Sequence, residues 1–135
     1  MLLVYPRLKV KVCVRLGVKQ RGVYCLEAIE EGQTVEVSPA MVFNKKESKI
    51  VDATKLGRYV FEWGDDRKRS AVGLGYVSMY NHSTEPNVDY AQDFDEEDFT
   101  ITALRDIAKG EELTFNYNGE VDDKTPQWFE EPAGV

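Results

Sequence analysis

Polar and apolar positions alternate without a break from Leu8 to Leu16. In "LKVKVCVRL", Leu8, Val10, Val12, Val14 and Leu16 share one face, and Lys9, Lys11, Cys13 and Arg15 share the other. Side chains on a strand point to opposite faces in turn, so this pattern predicts a half-buried strand. "VYCLEAI" (Val23 to Ile29), "TVEV" (Thr34 to Val37), "FTITAL" (Phe99 to Leu104) and "LTFNY" (Leu113 to Tyr117) predict four more. Turn signals separate them: "EEGQ", "WGDD", "DEED" and "AKGE". Helical spacing is scarce. Asp52 is positioned to cap a short turn through Leu56, and another turn is expected to run into Tyr80. The expectation is a mostly β domain.

One pattern occurs twice. "LEAIEEGQTVEV" and "LRDIAKGEELTF" align Leu26, Ile29, Gly32 and Val35 with Leu104, Ile107, Gly110 and Leu113, each pair 78 residues apart. Two related corners, each a strand, a glycine turn and a second strand, would produce this. A chance match is the other reading, because the pattern is a common one for tight turns.

Composition narrows the class. A chain of 135 residues with 42% hydrophobic and 30% charged positions suits one folded domain. The formal net charge is −7, and much of the acid lies in "DFDEEDF" (Asp93 to Phe99), "GEVDDK" (Gly119 to Lys124) and "FEEP". Such a surface repels phosphate backbones and favours basic partners, which argues against direct nucleic-acid binding. Cys13 and Cys25 lack a CxxC spacing and read as reduced thiols. The N-terminal apolar run is short and broken by Pro6 and Arg7, and no stretch is long enough to span a bilayer. The expected location is intracellular, in the cytoplasm or in a nucleus.

Common catalytic schemes are mostly missing. His82 is the one histidine, so multi-histidine metal sites are excluded and no metal is expected. There is no GxSxG, no phosphate-binding P-loop and no GxGxxG. A pair of His82 with Cys13 or Cys25 has no local support, and no glycosidase-like carboxylate pair stands out. Seven tyrosines remain. Taken singly, Tyr59 and Tyr76 read as core aromatics, Pro86–Asn87 as a turn and "YNG" as a hairpin start.

Together these pieces resemble the SET-domain family of protein lysine methyltransferases. "NHSTEPN" (Asn81 to Asn87) matches the family's NHSxxPN motif at every fixed position, and "GEELTFNY" (Gly110 to Tyr117) matches GEELTxxY. "RYVFEW" and "AVGLGYVSMYNHS" also look like the middle of a compact SET domain. The likeness runs from about Arg15 to Asn118. At the N-terminal GxG motif only Gly22 survives, preceded by Gln20 and Arg21.

The resemblance implies a β-rich fold of several small sheets with a knot-like threaded C-terminal segment. It implies one domain over residues 1–135, with a core of about 8–118 and a closing tail of 119–135. It implies S-adenosylmethionine as cofactor, with S-adenosylhomocysteine as product, bound by Gln20, Arg21, Gly22, Asn81 and His82. Tyr117 matches the catalytic tyrosine, while Tyr59, Tyr76 and Phe115 match or approach channel positions for the target lysine. Many members close the site with a cysteine-rich zinc segment, but this chain has no cysteine after Cys25. Trp128 therefore becomes the expected closing aromatic and cofactor contact, packing near the adenine or the lysine channel, with Phe129 or a plain hydrophobic anchor as the alternatives.

The expected partner is a basic, lysine-containing protein such as a histone-like tail, with neither nucleic acid nor membrane contacted directly, and with the protein a monomer or homodimer. The competing reading is a non-catalytic module that keeps the fold to grip a peptide.

Overall fold

The computed structural model describes residues 3–4, 8–15, 17–118 and 124. In chain order the strands are β1 (Leu3–Val4), β2 (Leu8–Arg15), β3 (Val18–Cys25), β4 (Thr34–Phe43), β5 (Val60–Trp63), β6 (Arg69–Gly73), β7 (Asn81–His82), β8 (Val88–Asp93), β9 (Asp98–Ala103) and β10 (Glu112–Phe115). They form two sheets. One has the order β5-β6-β4-β9-β8, with β1 also paired to β4; the other has the order β2-β3-β10-β7. Mostly antiparallel pairing is broken at one place, where β7 and β10 run parallel.

Strand β4 is longer than its alternation predicts because it serves two partners. It pairs with β9 as far as Pro39 and with β6 from Ala40 onward. Pro39 has no N–H to donate, and it falls where one ladder ends and the other begins.

The doubled pattern is real structure. Ile29 and Ile107 face each other in an isolated bridge and exchange both backbone hydrogen bonds, at 2.9 and 2.8 Å. Gly32 N–H donates to the Ala103 carbonyl, and Gly110 N–H donates to the Cys25 carbonyl. The offset of 78 residues that carries Gly32 onto Gly110 also carries Cys25 onto Ala103. The two corners thus hold each other by equivalent bonds. Both glycines have positive φ, +82° and +90°, a conformation that a β-carbon would strain.

Four expectations need correction. The apolar face of β2 runs off the core: Leu8 is buried and Val10 packs against the core, but Val12 is 66% exposed. Strand β3 ends at Cys25, not Ile29, because Ile29 belongs to the corner. An α-helix, α1 (Lys45–Asp52), occupies a segment with no predicted element. Its start is a capping box: Asn44 accepts from the Glu47 N–H, and Glu47 accepts from the Asn44 N–H. Asp52 ends that helix, and Thr54 caps the 3-10 turn that follows, Lys55–Arg58. The turn expected before Tyr80 is present as a 3-10 turn, Val77–Met79.

The core lies between the sheets and is built from Trp63, Tyr80, Phe99 and Phe115 with Ile29, Ile101, Ile107 and Leu113. Among the described residues no helix is long and apolar enough to cross a membrane.

Candidate active site

The parallel pairing of β7 with β10 sets Thr114 opposite Asn81 and Phe115 opposite His82. The two sequence motifs are therefore stitched together almost residue by residue. Asn81 Nδ2 donates to the Glu112 carboxylate at 2.6 Å and to the Arg21 carbonyl at 2.9 Å. Ser83 N–H donates to the Phe115 carbonyl. Asn87 closes the far end, its amide donating to the Glu112 carbonyl and its side-chain oxygen accepting from Thr114 N–H. His82, the lone histidine, accepts the Tyr117 N–H on Nδ1 at 3.0 Å. Buried polar groups must find partners, so these side chains saturate the backbone where two distant segments cross.

Gly22 explains which glycine of the N-terminal motif is retained. A β-carbon there would stand 2.9 Å from Asn81 Nδ2 and would overlap the Glu112 carboxylate. The absent β-carbon leaves the room through which Asn81 reaches across β3 to the Arg21 carbonyl. Gln20 is half-buried and Arg21 is exposed on the same strand, so neither position demands a missing β-carbon.

Beside this crossing lies a cavity of about 640 Å³, lined by Tyr59, Phe61, Tyr80, Tyr90, Phe115 and Tyr117 among others. Phe115 is the hub of its wall. Tyr80 stacks on it at 5.3 Å, and Tyr90 and Tyr117 meet it at 4.8 and 5.6 Å. Tyr117 donates its hydroxyl proton to the Tyr80 carbonyl at 2.5 Å. Burial, and then the neighbouring Glu36 carboxylate, push the Tyr80 hydroxyl well above the ordinary tyrosine range, so it stays protonated.

Of the residues singled out in the sequence, Tyr59, Phe115 and Tyr117 converge on this cavity, and Gly22, Arg21, Asn81 and His82 converge on the crossing beside it. Tyr76 does not line the cavity: it is half-buried against the core, and its backbone N–H donates to Glu36. Trp128 lies outside the described residues, as does most of the expected closing tail.

Sequence reasoning missed Phe61, Tyr80 and Tyr90 in the cavity wall, and Glu36 behind it. In the sequence Tyr80 is expected only as the end of a turn, and neither Phe61 nor Tyr90 is singled out for the site. Glu36 sits in an alternating strand where period two would turn it outward, but a register shift between Thr34 and Glu36 turns it in.

The comparisons with known proteins agree with this arrangement. A model of the SET domain family matches residues 20–118. The chain is 34% identical over 116 residues to the "Histone-lysine N-methyltransferase, H3 lysine-37 specific" of Schizosaccharomyces pombe, covering 85% of this chain and 74% of that protein. It is 33% identical over 119 residues to the histone-lysine N-methyltransferase trithorax of Drosophila virilis, covering 82% of this chain but 3% of that much longer protein. A solved structure from work on the product specificity of histone lysine methyltransferases superposes with a TM-score of 0.61 at 24% identity, covering 80% of this chain and 52% of that chain. This last likeness is one of fold.

Proposed function

We propose, from the premise that this chain belongs to the SET-domain family, that it is an S-adenosylmethionine-dependent protein lysine N-methyltransferase. Its substrate in this reading is a basic, lysine-bearing segment such as a histone-like tail, met in whichever intracellular compartment holds it. In this reading residues 8–118 form the catalytic core, and the expected closing residue, Trp128, lies outside the described residues. The observation that carries the reading is that Tyr117, held by His82 through its backbone, puts its hydroxyl on the wall of an aromatic cavity.

The residues at the crossing suit the cofactor. A zwitterionic ligand with a carboxylate needs a cation and amide donors; in this reading the exposed Arg21 supplies the first and the backbone of Gln20 to Gly22, Asn81 and His82 the second, with the Asn81 side chain holding that backbone in place. When bound, S-adenosylmethionine supplies an electrophilic methyl group on a positive sulfur. The chain's own work is alignment. A lysine amine is protonated at neutral pH, with a reference pKa of about 10.4. Partial burial of the amine against these rings disfavours its charged form and so favours the neutral, nucleophilic one. The proton of the Tyr117 hydroxyl is directed to the Tyr80 carbonyl. Its oxygen therefore offers lone pairs, suited to receiving an amine N–H and aiming the nitrogen lone pair away from the wall. Tyr117 positions the amine and stabilises developing charge.

Calorimetric titration of the purified chain with S-adenosylmethionine tests the reading, followed by mass spectrometry of lysine peptides. Saturable binding that Asn81→Ala abolishes, with methylated lysine in the products, supports it. A folded protein that binds basic peptides and no cofactor moves the assignment to a peptide-binding module.

A further inference from the structure

Glu36 is fully buried, and no cation pairs with it among the described residues. A carboxylate in a protein core is strongly unfavourable unless its oxygens are satisfied. A carboxylate at this depth calls for a structural reason.

Its partners indicate one. The Tyr80 hydroxyl donates to Oε1 at 2.9 Å, Tyr76 N–H donates to Oε2 at 2.6 Å, and the Ser38 hydroxyl donates to the same oxygen. Tyr76 and Tyr80 bracket the 3-10 turn Val77–Met79. One carboxylate therefore staples both ends of a single turn. Gly73 fixes the middle: its N–H donates to the Ser78 hydroxyl, and its missing β-carbon leaves the room that a Val77 methyl occupies.

The stapled turn is the one that builds the cavity. Val77, Ser78 and Tyr80 all line it, and the chain passes from Tyr80 straight into Asn81 and His82. The Tyr80 ring stacks on Phe115, and the Tyr80 carbonyl receives the Tyr117 hydroxyl. A change at Glu36 thus reaches the ring wall through one atom of Tyr80 and the Tyr117 hydroxyl through another. The protonated state of the Tyr80 hydroxyl, maintained by burial and the Glu36 charge, keeps that hydroxyl a donor.

We propose that Glu36 is a positioning residue for methyl transfer, a buried staple that sets the Tyr80 ring and the Tyr117 hydroxyl and thereby governs how many methyl groups the lysine channel accepts. The inference rests on the methyltransferase reading and deepens it. Glu36 touches neither substrate nor cofactor.

The test compares wild type, Glu36→Gln, Tyr80→Phe and the double variant as full chains. Glu36→Gln keeps the size but sets an amide N–H against a donor. With peptide saturating, turnover is expected to fall about tenfold, with cofactor affinity within about twofold and an altered ratio of mono-, di- and trimethyl products. The double variant is expected to be no worse than the worse single, because both changes act through one contact. Unchanged turnover and product ratio in folded Glu36→Gln overturns the proposal, and so do additive effects. If Glu36→Gln fails to fold, Tyr80→Phe alone decides, with the same product shift expected and an unchanged ratio overturning the proposal. An inactive wild type would be a failure of the methyltransferase reading, and the staple is then read from ring resonances of isotope-labelled tyrosine. A shift of the Tyr117 signals in either variant supports the coupling, and their constancy removes it.

Discussion

Tyr117 N–H donates to Nδ1 of His82 across 35 residues of sequence, and the two rings lie 5.2 Å apart. The lone histidine thus acts as an acceptor that fixes where the last turn after β10 begins. The Tyr117 side chain then reaches back to the Tyr80 carbonyl, two residues before His82. Backbone and hydroxyl of one tyrosine are thus held by two residues of one short segment, Tyr80 and His82.

Tyr117→Phe removes the hydroxyl and leaves the backbone bond to His82. Methyl transfer is expected to fall by about 100-fold or more, as for loss of one preorganised polar group in a catalytic site. Cofactor affinity, measured by calorimetry, should change little. A variant with near wild-type turnover would remove Tyr117 from the chemistry.

Phe115→Tyr adds a hydroxyl at the hub of the aromatic wall, where Tyr80 and Tyr90 already meet the ring at 5.3 and 4.8 Å. The extra volume and polarity should restrict the channel and shift products toward lower methylation. Mass spectrometry of a methylated lysine peptide reads the change; identical product ratios would sink the idea.

Gly73→Ala forces a β-carbon into the Val77 side chain. Overpacking of this kind costs about 1–3 kcal/mol, and Val77→Ala in the same chain should recover part of it. Denaturant unfolding of the two single variants and the double checks this. Simple additivity of the losses would show that the two residues do not compete for one space.

Asn87→Ala orphans the Thr114 N–H and the Glu112 carbonyl at the motif crossing. The expected loss is roughly 1–3 kcal/mol for each orphaned group, seen as a lower denaturant midpoint. A loss below the lower figure would mean that water replaces the side chain.

Tyr80 keeps its proton in the folded state well above the ordinary tyrosine range, whereas the unfolded chain releases it near pH 10. The unfolded state therefore binds fewer protons above that pH, and stability falls as pH rises. The contribution is complete below about pH 10 and declines by up to about 1.4 kcal/mol per pH unit above it. Tyr80→Phe lacks this loss, so the stability gap between wild type and variant should narrow from about pH 10 upward. A gap that stays constant with pH would contradict the shift.

What the sequence determined alone was the class of fold and the identity of the crossing. Period-two alternation marked β2, β9 and β10 closely, since burying one face of a strand leaves a direct imprint on side-chain polarity. The doubled glycine pattern was legible because a positive φ is a local demand that only glycine meets cheaply. Asn81, His82 and Asn87 lie in one motif and Glu112 in the other, and their side chains bond across the crossing. Even α1 carried a readable sign, the Asn44–Glu47 capping pair.

Tertiary structure alone decided the rest. Alternation cannot say where a sheet outruns its core, so Val12 is exposed in a strand whose pattern is unbroken. It cannot reveal a register shift, and that shift turns Glu36 inward. Nor can it separate Tyr76, spent on a backbone bond, from Tyr80 and Tyr90, which wall the cavity. Local sequence encodes which groups each residue offers; which of them meet depends on contacts between strands far apart in the chain, and those exist only once the sheets have packed.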